Sequence, residues 1–147
     1  MLCWAVSRVK SQDQVLVQGL AQRAAQPIVV SHYRAPTIAN LAWAFATLGY
    51  LHDGLMAALA ERALKPTILD SFKPQELANT AWGYATLGIQ NEAVMQAIGE
   101  RMLHLLPKFK AQELANLVWA YGKLQMYHEA VFTAAATWVV LKPDYLA

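Results

Sequence analysis

The sequence repeats itself, and that repeat limits the fold more than any other property of the chain. Residues 77–88 read Leu-Ala-Asn-Thr-Ala-Trp-Gly-Tyr-Ala-Thr-Leu-Gly. The pattern recurs upstream at 38–49 as Ile-Ala-Asn-Leu-Ala-Trp-Ala-Phe-Ala-Thr-Leu-Gly, and downstream at 114–124 as Leu-Ala-Asn-Leu-Val-Trp-Ala-Tyr-Gly-Lys-Leu. A worn fourth copy opens the chain at 2–6. The marker tryptophans Trp4, Trp43, Trp82 and Trp119 stand 39, 39 and 37 residues apart. Arg23, Arg62 and Arg101 keep the same period of 39, each preceded by Gln or Glu. Two independent markers in phase define a repeat architecture, in which each unit buries its apolar face against its neighbours.

Each unit reads as two helices. Helix A runs from about Pro74 to Leu87 in the clearest copy, with Gly88 as its stop. Helix B starts at the good cap Asn91 and runs to about Leu106, before Pro107. Val94, Ala97, Ile98, Met102 and Leu105 fall on one face of it. Asp53 is expected to cap the preceding helix B, and Pro27, Pro66 and Pro143 to end the others. Tyr33, Phe72 and Phe109 before helix A, with Ile38, Leu77 and Leu114 at its fourth position, have the spacing of a hydrophobic staple. Glu76 and Glu113 at the third position suit the helix dipole.

The expectation is therefore an all-α chain, an α-α superhelix (solenoid) of about four two-helix repeats of 37–39 residues, forming one repeat region over 1–147. The units are about 1–33 (partial), 34–72, 73–109 and 110–147. Both ends cut across the period, so a length of a longer array is expected.

Composition fits. There are 26 alanines, 7 glycines and 6 prolines, and 15% of residues are charged. Alanine is the best helix former, and the sparse turn residues argue against a β-sandwich. One cysteine, Cys3, rules out an internal disulfide framework. The longest charge-free stretch, 35–52, carries Pro36, Thr37, Asn40, Gly49 and His52 and makes a poor membrane span. The start, Met1-Leu2-Cys3-Trp4, carries no basic n-region, so no signal peptide is expected.

The Leu-Ala-Asn-x-x-Trp-Ala/Gly-aromatic-Ala-x-Leu-Gly helix on a 37–39 residue period resembles the octotricopeptide repeats of organellar RNA-binding proteins. It is also similar to the helical repeats of FAST-kinase-like and RAP-domain proteins. The resemblance spans essentially the whole chain. It implies binding of single-stranded RNA in a chloroplast or mitochondrion, in transcript processing, stability, splicing or translation. The sequence shows no Gly-rich phosphate loop, nucleophile elbow or paired-carboxylate arrangement, so no catalysis, cofactor or small-molecule substrate is expected. Many relatives carry serine at the helix A cap, where this chain has Arg34, Lys73 and Lys110.

At about 100° per residue, Leu77, Ala81, Tyr84, Ala85 and Gly88 share one arc of helix A, with Gln75, Asn79, Gly83 and Thr86 on the opposite polar strip and Trp82 at its border. The equivalent strips are Pro36, Asn40, Ala44, Thr47 and Gln112, Asn116, Ala120, Lys123; the first copy contributes Ala5 and Arg8. The central Gly or Ala admits either a nucleotide or a neighbouring helix. Asn40, Asn79 and Asn116 never vary, which suits a structural ladder or contact with a repeating backbone. Gln75, Gln112, Pro36, Arg8, Thr47, Thr86 and Lys123 vary and are candidates for base choice.

Arg34, Lys73 and Lys110 sit at helix N-caps, where a cation offers no acceptor and opposes the dipole. They form either a ladder of phosphate contacts or solvated partners of Glu76 and Glu113. Arg23, Arg62 and Arg101 lie late in helix B, where cations complement the C-terminus. The tryptophans fit inter-repeat core or base stacking. His32, His52, His104 and His128 show no metal-ligand spacing. The rival function is a protein-interaction solenoid of the armadillo or HEAT kind, and a third reading is an inactive repeat fragment.

Overall fold

The structure, a computed structural model, describes residues 13–142. These residues are mostly helical, with no strand among them. The elements are α1 (Gln14–Ala24), α2 (Pro27–Val30), α3 (Ala35–Leu48), α4 (Asp53–Ala63), α5 (Pro66–Leu69), α6 (Pro74–Thr86), α7 (Glu92–Leu105), a 3-10 turn (Leu106–Lys108), α8 (Ala111–Lys123) and α9 (Glu129–Leu141). Helix A of successive repeats is α3, α6 and α8; helix B is α1, α4, α7 and α9. Trp4, Arg8, Ala5, Cys3 and Pro143 lie outside the described residues.

The repeat holds more than two helices. Pro27 and Pro66 do not merely end helix B. Each opens a one-turn helix, α2 and α5, at a position where the missing N–H costs nothing. Helix B has already stopped at Ala24 and Ala63. Pro107 does the same in the 3-10 turn.

The B-helix cap also differs from the expectation. Asp53 is the first residue of α4, and the cap is His52, whose Nδ1 accepts from Leu55 N–H at 3.0 Å. Asn91 Oδ1 accepts from Val94 N–H at 3.0 Å, and His128 Nδ1 from Val131 N–H at 3.4 Å. His52, Asn91 and His128 are thus one register, 39 and 37 residues apart. Two of the four histidines are repeat caps, which their scatter in the sequence hides.

Helix A ends as expected where glycine is present. Gly49 and Gly88 take the left-handed conformation, φ +67° and +72°. Gly88 is exposed there, off the buried arc on which the helical wheel put it. The third repeat unit of the series has no glycine at this point: Gln125 takes φ +55° instead.

The core runs through all the described repeats. Ile38, Leu77 and Leu114, with Phe72 and Phe109, are buried as the staple required. Leu77, Ala81, Tyr84 and Ala85 are fully covered. Val94, Ala97, Ile98, Met102 and Leu105 on α7 are buried. The tryptophans are less central than core residues: Trp43 and Trp82 are half-buried and Trp119 is 46% exposed.

The two layers pack unequally. Consecutive helices A lie against one another along their lengths, α3 on α6 and α6 on α8, while consecutive helices B meet over much shorter stretches.

Candidate nucleic-acid interface

The helix A N-termini form the first part of the site. Arg34, Lys73 and Lys110 are the N-caps of α3, α6 and α8, all in extended backbone and all exposed. None of the three side chains caps its helix. An ammonium has no lone pair to offer, so only the carboxylate half of a capping box can form. It does: Glu76 accepts from the backbone N–H of Lys73 at 2.9 Å, and Glu113 from that of Lys110 at 2.8 Å. Among the described residues, neither carboxylate pairs with the lysine side chain three positions away. Glu76 and Glu113 fix the backbone, and the cationic side chains reach into solvent.

The polar strip divides in two. Gln75, Gln112, Asn40, Thr47, Thr86 and Lys123 are exposed, and Asn79 and Asn116 are half-buried. Gln112 donates to Asn116 Oδ1 at 3.0 Å, one turn along the same helix. Thr47 bonds back to the Trp43 carbonyl at 2.8 Å. The small residues in the middle of the strip, however, are not open to a ligand. Gly83, Ala44 and Ala120 are buried. A Cβ on Gly83 would stand 2.7 Å from the Ala42 carbonyl oxygen. The small residue there lets one helix A approach the backbone of the one before, so packing takes the room that a nucleotide would need.

Helix B holds its own repeat in place. Arg62 Nε donates to the Tyr33 carbonyl at 2.9 Å, and an Arg101 Nη donates to the Asp70 carbonyl. Both acceptors lie in the linker entering helix A, so these arginines position the helix A N-termini. Arg23 instead bonds Gln26 at 2.6 Å.

Sequence reasoning missed Tyr127. It is 79% exposed and stacked on Phe132, with ring centroids 5.6 Å apart and 13° between planes. It borders a cleft of about 750 Å³ that also touches Gln90, Gln96, Gln125 and His128. Phe132 and Tyr127 lie outside the strongest repeat motif, so no recurrence marked them.

Among the described residues no His, Cys, Asp or Glu cluster could hold a metal, and no helix is long and apolar enough to cross a membrane. The chain matches no family model and no curated protein sequence.

Proposed function

We propose that this chain is a helical-repeat module that binds single-stranded RNA along its layer of helices A. The observation that carries the reading is the recurrence of Arg34, Lys73 and Lys110, exposed and unpaired among the described residues, at equivalent helix N-termini. A cation in place of a good cap forgoes about 0.5–2 kcal/mol per helix. Phosphates spaced along a strand would use the three cations, one per repeat. Gln75, Gln112, Asn40, Asn79, Asn116, Thr47, Thr86 and Lys123 then line the route of the bases. The action on a chloroplast or mitochondrial transcript rests on the resemblance to octotricopeptide-repeat and RAP-domain proteins.

Fluorescence anisotropy with labelled single-stranded RNAs over a salt series tests it. The variant replaces Arg34, Lys73 and Lys110 by Ser, which supplies a cap acceptor and keeps the helices stable. The log–log salt slope should fall by up to ~2, at ~0.7 per phosphate contact on a single strand. An unchanged slope, or no RNA binding by the parent chain, overturns the reading.

A further inference from the structure

The contacts between consecutive helices A define what a bound helix must look like, and α8 presents the same contact surface uncovered. On α3 and α6, Ala39, Ala42, Ala78 and Ala81 are at most 1% exposed. Gly83 of α6 sits on Ala42 of α3. By the repeat register the counterparts on α8 are Ala115 and Val118. Ala115 is exposed and Val118 is half-buried. Gly122, the counterpart of the fully buried Ala85, has nothing within 4 Å of its Cβ position.

The second contact is specific. Tyr84 of α6 donates its hydroxyl to the Met56 carbonyl of α4, and Tyr121 of α8 donates to the Met95 carbonyl of α7. Each tyrosine enters between the preceding helices A and B. The tip of Tyr121 fills the space over Gly99, where a Cβ would lie 2.7 Å from the hydroxyl. On α9 the residue in the Met56 and Met95 register is Phe132, and the one in the Gly99 register is Ala136. Both line an apolar groove between α8 and α9, with Ala115, Val118, Val139 and Val140. Val140 is 75% exposed.

We propose that this groove docks an amphipathic helix of the helix A kind, lying as α8 lies on α6. Its partner helix carries Gly or Ala followed by Tyr, as Gly83-Tyr84 and Ala120-Tyr121 do. The small residue meets the α8 backbone, and the tyrosine enters between α8 and α9 with its hydroxyl toward the Phe132 carbonyl. The argument is the continuity of two interfaces already built in the molecule, and it stands apart from the RNA-binding reading.

The probe is a fluorescein-labelled peptide of residues 72–89 of this chain, titrated into the full chain. Saturable binding is expected. Gly83→Leu in the peptide should weaken it about tenfold or more, since overpacking a close helix contact costs about 1–3 kcal/mol. Tyr84→Phe in the peptide should weaken it several-fold. Ala115→Arg or Ala136→Arg in the chain should abolish it; both sites are exposed, so each variant folds independently of the other. Binding that ignores Gly83→Leu and both arginine substitutions overturns the proposal. So does a monomeric chain that does not bind the peptide. Sedimentation showing a dimer that Ala115→Arg dissociates, with no peptide binding, assigns the groove to a second copy instead.

Discussion

The Tyr84 hydroxyl donates a hydrogen bond to the carbonyl of Met56, 28 residues earlier and on helix B of the preceding repeat. Tyr121 repeats the contact with Met95. Phe45 stands in the same register without a hydroxyl and is buried all the same. The ring supplies apolar burial in all three copies, and the hydroxyl adds a directional tie in two of them. The tie fixes how far helix A slides along the groove before it.

Burial pushes the phenols of Tyr84 and Tyr121 well above the ordinary tyrosine range. The folded state holds these groups neutral, while the unfolded chain ionises them near ~10. Their contribution is complete below that value and is lost as pH rises above it, because the unfolded state releases protons first. The urea midpoint should therefore fall above pH ~10. Tyr84→Phe with Tyr121→Phe should flatten that fall, at a cost near neutral pH of about 0.5–1.5 kcal/mol per hydroxyl. An unchanged alkaline slope would exclude these tyrosines as its source.

Gly83 and Gly122 are both helical glycines, and the same substitution should move stability in opposite directions. Ala at Gly83 drives a methyl into the Ala42 carbonyl, so Gly83→Ala should destabilise by about 1–3 kcal/mol. Gly122 has open space, so Gly122→Ala should gain about 0.5–1 kcal/mol from helix propensity alone. Thermal melts of the two variants settle the comparison. Equal shifts would mean that α3 and α6 can separate without cost.

Gln125 occupies the left-handed position that Gly49 and Gly88 hold in the other repeats. A side chain there costs about 1–2 kcal/mol, part of which glycine returns as unfolded-state entropy. Gln125→Gly should raise stability by about 0.5–1 kcal/mol in chemical denaturation. Gly88→Ala should lower it by about 1 kcal/mol or more, although Gly88 has nothing near it to strike.

His52 caps α4 through Nδ1, in the register that Asn91 fills for α7. His52→Asn should leave stability close to that of the parent, because asparagine offers an equivalent acceptor. His52→Ala should cost about 0.5–2 kcal/mol. Hydrogen exchange at Leu55 N–H reports the cap directly. Protection that survives His52→Ala would mean that the ring is not its acceptor.

The period of 39, 39 and 37 residues carried most of the architecture, because a unit that cannot bury itself announces its neighbours in its own composition. Apolar spacing placed the core of α6 and α7, the cap Asn91 was legible from residue type, and the cap position of Lys73 from the repeat register and the proline after it. The cations at 34, 73 and 110 were legible as a ladder for the same reason. Other features were settled only by tertiary contact. A helical wheel assigned Gly83 to a polar strip, yet the preceding helix A covers it, since periodicity gives an angle around one axis and not the distance to a second. Repetition of residue type hid His52 and His128 beside Asn91, where different side chains offer the same acceptor. And which carbonyl receives a tyrosine hydroxyl, or whether Glu76 binds a lysine side chain or its backbone, is set by distances that exist only once the helices are stacked.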